Sequence, residues 1–305
     1  MKNLLNFEDY SPNELEAIIE SGIDLKKNPA KYASALSGKK LYLLFEKTST
    51  RTFLSFAAGI TEMGGCYFNQ KWEDSNFSLA DPISEIQYVG RNVDIIMARL
   101  KQNDKVRELA KYSSVPFING CDNTFHPCQA LGDIMTVKEI FGRFDINLMY
   151  IGAKNNVFNS LLEISGKLGV KLYGYTPLVN AMAVGEDFYA SKPYTDLTNK
   201  SFDEVKTLIK KMDVVYTDAW VDMEFFNNPA YAGAKQQAVD KMLPYQLNES
   251  LLEESRALVF HDMPIHEGYE ISRGVIDANI ATILNQAENR RHIEKAIMLY
   301  LLGAK

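Results

Sequence analysis

Ser49-Thr50-Arg51-Thr52 stands between a continuous apolar run, Leu41 to Phe45, and a pattern that places Phe53, Phe56, Ala57 and Ile60 on one helical face. The first amides of a helix point outward without intrahelical partners, and the helix dipole is positive there. Hydroxyl donors and a bidentate guanidinium at that point suit a phosphate-like anion. The same residues also read as an ordinary helix cap. No Gly-x-x-x-x-Gly-Lys-Ser/Thr accompanies them, so a nucleotide is not implied. Further polar groups follow other apolar runs. Arg99 follows Val93 to Ala98, Asn119 and His126 follow Val115 to Ile118, and Asn155-Asn156 come soon after Leu148 to Gly152. Asp218 and Trp220 follow Val214 to Thr217, and His261-Asp262-Met263-Pro264 follow Ala257 to Phe260. In open parallel sheets ligands bind beyond the carboxyl ends of the strands, which is where these residues are expected to gather.

The elements that must position them alternate in type. Ser11-Pro12-Asn13-Glu14 is a capping box with proline at the first helical position, and Gly22 or Pro29 can end that helix. Short apolar runs read as buried parallel strands. Helices are expected from the Phe53 pattern to a stop at Gly64-Gly65, over 106–112, from about His126 to Phe141, over 156–168, and from about Asn289 to Leu302. Leu148–Gly152, the 156–168 helix and Val170–Tyr175 form a βαβ unit. The fold class is therefore α/β: two parallel-sheet domains with a cleft between them, and a C-terminal helix packing back on the first. The expected domains are residues 1–134 together with 287–305, and residues 135–286.

The bulk composition agrees. At 305 residues, 46% hydrophobic and 24% charged, the chain has the length for about two globular domains. A net charge of −6 argues against nucleic acid as a partner. No stretch approaches a membrane span, and Met1–Asp9 does not read as a signal peptide. Cys66, Cys121 and Cys128 are an odd number with no Cys-x-x-Cys, which fits reduced thiols in a cytoplasmic protein.

These motifs together resemble the aspartate/ornithine carbamoyltransferases. Phe45-Glu46-Lys47-Thr48-Ser49-Thr50-Arg51-Thr52 is similar to that family's carbamoyl-phosphate loop, and His126-Pro127-Cys128-Gln129, continued by Leu131 to Asp133, to its His-Pro-x-Gln motif. Arg99 and Glu288-Asn289-Arg290 also match in type and order. Asn155-Asn156, Thr217-Asp218-Ala219-Trp220 and Gly268-Tyr269-Glu270-Ile271 resemble the ornithine branch. The resemblance implies a homotrimer whose subunits share active sites, and transfer of a carbamoyl group from carbamoyl phosphate to an amino acid's amine, without metal or organic cofactor. It implies that Ser49, Thr50, Arg51 and Thr52 hold phosphate. Arg99, His126 and Gln129 would hold the carbamoyl end, with Arg99 and His126 facing the developing oxyanion, and Arg290 would complete the anion site. On the amino-acid side it implies Asn156 for the carboxylate and Asp218 for the α-ammonium. Trp220 is expected to pack, and Asp218 alone reads equally as a cap or turn residue.

The chain departs from that pattern where the second substrate would bind. His261-Asp262-Met263-Pro264 replaces His-Cys-Leu-Pro, so Asp262, with Met263, is expected at the reacting amine, as an ammonium partner or a proton acceptor. Asp262 bonded to backbone is the plainer alternative. Asp222-Met223-Glu224 replaces Ser-Met-Gly in a loop lengthened through Phe225 to Tyr231, which makes Asp222 and Met223 candidate contacts. The added carboxylates favour a cationic acceptor, while an exposed acidic loop is the blander reading. Phe53 stands where the family has arginine, and Gln70 to Pro82, where it borrows contacts from a neighbouring subunit, is hard to match. Lys71 is a candidate for the borrowed cation. Ornithine is the expected acceptor, giving citrulline; another amine, or a non-catalytic binding role, are the alternatives.

Overall fold

The structure, a computed structural model, describes residues 1–179, 184–221 and 226–304. It divides into two compact units. Unit 1 comprises Met1–Gly142, Asn159–Ile164 and Glu288–Lys305; unit 2 comprises Arg143–Phe158 and Ser165–Ala287.

Unit 1 is built on a parallel sheet of β1 (Lys40–Phe45), β2 (Cys66–Lys71), β3 (Ile95–Arg99) and β4 (Phe117–Cys121), in the order β2-β1-β3-β4. The inner strands are apolar because both faces are covered: Leu43, Leu44, Ile95, Ile96 and Met97 are buried. The helices are α1 (Pro12–Lys27), α2 (Thr50–Glu62), α3 (Pro82–Gly90), α4 (Asn103–Tyr112) and α5 (Pro127–Phe141). The capping box of Ser11 and Glu14 starts α1 as expected. Gly142, at φ 69°, closes α5 in the left-handed conformation that glycine adopts without steric cost. The open edge of β4 is covered by the N-terminal segment, where Leu4 and Ile118 form a parallel bridge. The strand β2 and the helix α3 are additions to the sequence reading. Most of β2 is solvent-exposed, so it carries no run of buried apolar residues to betray it.

Unit 2 has a parallel sheet of β5 (Asn147–Lys154), β6 (Lys171–Val179), β7 (Thr195–Asp196), β8 (Val214–Thr217) and β9 (Leu258–His261), in the order β7-β6-β5-β8-β9. With it come α6 (Asn156–Leu168), α7 (Glu186–Ala190), α8 (Phe202–Ile209) and α9 (Ala232–Met242). Met149, Ile151, Val215, Val259, Ile271 and Ile283 lie in its core, and Trp220 packs there as expected.

The C-terminal helix α10 runs unbroken from Arg273 to Leu302, sixteen residues earlier than the expected start at about Asn289. The reason lies at the sheet edge. The amides of Val259 and His261 on β9 donate to the side chains of Asn279 and Gln286, at 3.3 and 2.9 Å. Polar residues therefore occupy an inward face of α10, and the apolar period that marks a helix is interrupted. From Glu288 onward the helix belongs to unit 1, as the packing back on the first domain requires.

Candidate active site

In unit 1, register brings the predicted anion ligands together. Phe45, the last residue of β1, pairs with Arg99, the last of β3, and the Glu46 amide donates to the Arg99 carbonyl at 2.9 Å. The chain then turns into α2, whose N-cap is Ser49; its hydroxyl accepts from the Thr52 amide at 3.2 Å. Thr52 is fully buried, and its hydroxyl oxygen accepts from Arg99 Nη1 and from Arg290 Nη2, each at 3.1 Å. One oxygen thus holds two guanidinium groups from distant parts of the chain. Gly132 on α5 makes room for the second: a methyl there would stand 3.3 Å from Arg290 Cγ.

His126 and Gln129 stand at the start of α5, three residues apart and so on neighbouring positions of one face. His126 is the N-cap without making a side-chain cap; its backbone amide donates to Ser160 Oγ at 2.8 Å. Gln129 Nε2 donates to Asp133 Oδ1 at 2.8 Å. Four buried polar atoms here, Arg99 Nε, His126 Nδ1, Gln129 Oε1 and Arg290 Nε, have no hydrogen-bond partner among the described residues. Buried polar groups are normally satisfied, so a set of them on these four residues marks a place built for a polar ligand. Burial, followed by the charges of Arg290, Arg99 and Arg51, holds the His126 imidazole well below its usual titration range. The neutral ring can donate one hydrogen bond to an oxygen on which charge develops. Arg51 is half-buried, Ser49 likewise, and Thr50 is exposed.

In unit 2 the ends of β8 and β9 are aligned, and β5 runs three residues further: Ile151 pairs with Thr217, and Thr217 with His261. The residues just beyond form a polar network. Asn155 caps α6, accepting from the Phe158 amide at 3.0 Å, and its Nδ2 donates to Asp218 Oδ2 at 2.7 Å. Asp218 Oδ1 accepts from the Ala219 amide at 2.6 Å. Tyr150 donates to Asn155 at 3.4 Å; burial, then the charges of Asp218 and Asp262, push its phenol well above the usual range. Asn156 is the first residue of α6 and half-buried. His261 is fully buried between two partners. Its Nδ1 accepts from the Met263 amide at 2.9 Å, so the proton sits on Nε2, which donates to Glu270 Oε1 at 3.0 Å. Asp262 is half-buried with Oδ1 3.7 Å from His261 Nδ1, and Met263 adopts φ 61°, a conformation unusual outside glycine. Asp222 and Met223 lie outside the described residues. Sequence reasoning assigned no role to Tyr150 or to Glu270: Glu270 stood within the Gly268-Tyr269-Glu270-Ile271 motif, and only the fold shows it against the His261 ring. Among the described residues no group of three or more His, Cys, Asp or Glu side chains could hold a metal ion, and no helix is long and apolar enough to cross a membrane.

Comparison with known proteins follows the same division. Residues 2–139 match the family described as aspartate/ornithine carbamoyltransferase, carbamoyl-P binding domain, and residues 144–301 match its Asp/Orn binding domain. An ornithine carbamoyltransferase of Methanocaldococcus jannaschii is 35% identical, covering 99% of this chain and 100% of that one. A catabolic ornithine carbamoyltransferase of Halobacterium salinarum is 34% identical over the same shares. Among solved structures, the ornithine carbamoyltransferase from Pyrococcus furiosus superposes with a TM-score of 0.86 at 30% identity, covering 99% of this chain and 97% of that one.

Proposed function

We propose that this chain, which belongs to the aspartate/ornithine carbamoyltransferase family and is a carbamoyltransferase, transfers the carbamoyl group of carbamoyl phosphate to the side-chain amine of ornithine, giving citrulline and phosphate. The observation that carries the reading is the pair of guanidinium groups on Thr52 beside a neutral, buried His126. Carbamoyl phosphate presents a dianionic phosphate and a carbonyl on one small molecule. Ser49, Thr50, Arg51, Thr52 and Arg290 take the phosphate. Arg99, His126 and Gln129 take the carbamoyl end. The amine attacks the carbonyl carbon, a C–N bond forms, the C–O bond to phosphate breaks, and phosphate leaves with that electron pair. The oxyanion that develops in between is stabilised by Arg99 and by the proton on His126.

On the amino-acid side, Asn156 takes the α-carboxylate and Asp218 the α-ammonium. Asp262, with Met263, meets the reacting amine, and Asp222 and Met223 are further contacts to the amino acid. A free alkylamine is protonated at neutral pH, with a pKa near ~10.4 for lysine, so a proton must leave before or during attack. Asp262 is the acceptor this chain offers. A carbamoyltransferase for another cationic amine is the second reading, favoured by that same carboxylate. The subunits assemble as homotrimers, a reading supported by the exposed apolar residues of one sheet edge and the segment after it: Phe68 and Leu79 are 51% and 82% exposed. Phosphate release from carbamoyl phosphate is to be measured with ornithine, lysine, putrescine, 2,4-diaminobutyrate and aspartate. Ornithine should be the best acceptor; release driven better by another amine replaces the acceptor but keeps the reaction.

A further inference from the structure

One turn beyond Arg290 on α10 lies Glu294, a fully buried carboxylate. Its Oε1 is 3.5 Å from Arg290 Nη2, the same nitrogen that donates to the Thr52 hydroxyl, and its Oε2 is buried without a hydrogen-bond partner among the described residues. A buried carboxylate beside the arginine of an anion site works against that site when ionised. It draws on the arginine's charge and repels an incoming anion.

Taking unit 1 as the carbamoyl-phosphate site, we propose that Glu294 is a positioning residue that couples anion binding at Arg290 to uptake of one proton from solvent. The groups that act on it are few. Arg290, on its own helix, and the Ser55 hydroxyl of α2 favour the carboxylate, while burial opposes it and outweighs both, leaving its pKa raised to about 7. From α5 comes the Cys128 thiol, held protonated by burial and next by the charge of Glu294. Lys295, adjacent on α10, is engaged with Glu62 at 2.8 Å. A dianion placed on Arg290 adds negative charge beside a carboxyl already near half-protonation, so the carboxylate takes a proton and becomes a neutral acid. By linkage the anion then binds more tightly below the pKa of the free protein and more weakly above it.

Sulfate is the probe, because it remains a dianion across the range and brings no titration of its own. Calorimetry of sulfate binding at about pH 7.5, in buffers of different ionisation enthalpy, should show uptake of a fraction of a proton approaching one per site. The affinity should fall several-fold between about pH 6 and about pH 8.5, against a limit of ~tenfold per pH unit for one proton. Glu294→Gln keeps the shape of the side chain and should abolish both the uptake and the pH dependence, whereas His126→Asn should retain them. Wild-type binding without proton uptake overturns the inference even if the variant fails to fold. Equal uptake in Glu294→Gln also overturns it, by assigning the proton elsewhere. Failure of the wild-type protein to bind sulfate or carbamoyl phosphate at any pH instead overturns the anion-site reading on which it rests.

Discussion

Thr52→Val removes the oxygen that holds Arg99 and Arg290 and puts a methyl in its place. Both residues are β-branched and close in volume, so helix α2 and its packing are left alone. The loss falls on two charge-assisted hydrogen bonds, each worth roughly 1.5–3 kcal/mol. Neither is lost in full: Arg290 keeps Glu294 at 3.5 Å, and Arg99 is only half-buried. The two bonded nitrogens, each 3.1 Å from one oxygen, can be no more than about 6 Å apart, where like charges repel by roughly 3 kcal/mol at an effective dielectric of ~20. Without the hydroxyl dipole between them, less of that repulsion is offset. A stability loss of about 2–4 kcal/mol follows, or a fall in Tm of roughly 3–6 °C for a chain of this length. Scanning calorimetry measures it, with and without added sulfate. The anion should restore part of the loss, since its oxygens accept the hydrogen bonds that Thr52 gave up. Steady-state kinetics should show the half-saturating carbamoyl phosphate concentration raised about tenfold or more. A variant with unchanged Tm and unchanged half-saturation would refute the claim that this hydroxyl holds the two arginines in place.

Other substitutions test neighbouring steps. Arg51→Ala should lower kcat/KM by about 100-fold or more while leaving the circular dichroism spectrum and Tm nearly unchanged; near-normal turnover removes Arg51 from the phosphate site. Because His126 is held well below the usual range, its neutral form persists through the neutral region and is lost only as pH falls through that lowered value. Its imidazole resonances should therefore not titrate between about pH 6 and 8 in the free enzyme, and a titration centred near ~6.5 contradicts this. Asp262→Cys should shift acceptor preference or the pH profile of transfer; if both stay as they were, Asp262 does not touch the amine. Glu294 binds a proton more tightly folded than unfolded, so the wild-type protein loses stability as pH rises from the unfolded carboxyl value toward about 7. Glu294→Gln should escape that loss, gaining up to about 3 kcal/mol relative to wild type above pH ~7 and almost nothing near pH ~4.5, as measured by denaturant unfolding.

How much of this was legible in the sequence depended on where each signal resides. Buried strands declare themselves, because both faces are apolar: Val214–Thr217 was read to its exact ends. Helices with caps did so too, as α1 and α6 show. The edge strand β2 did not, since Cys66–Lys71 keeps most of its residues in solvent. The first half of α10 did not, because Asn279 and Gln286 spend inward positions on the amides of β9. The site shows the same split. Arg99, His126, Gln129 and Arg290 were marked by local motifs, and the structure brings Arg99 and Arg290 onto a single oxygen. Glu294 was invisible, because an acid in a chain with 39 acids says nothing until its burial is known, and Glu270, though part of a motif, had no role until its contact with His261 was known.

Burial also explains why the two units handle charge in opposite ways. Unit 1 assembles arginines around a histidine, and burial, followed by their combined field, keeps that histidine neutral. The arrangement stabilises incoming negative charge while leaving a proton donor that is not itself a cation. Unit 2 assembles carboxylates instead: Asp218 is fixed by Asn155 and the Ala219 amide, Glu270 by His261 and the His266 amide, and together with Asp262 they make its polar end acidic. Those hydrogen bonds hold Asp218 and Glu270 in place, though both bonds to Glu270 fall on Oε1 and its Oε2 is buried without a hydrogen-bond partner among the described residues. On the proposed reading, with a diamino acid as acceptor, the carboxylate at position 262 adds to that acidic end at the point where the family pattern has cysteine.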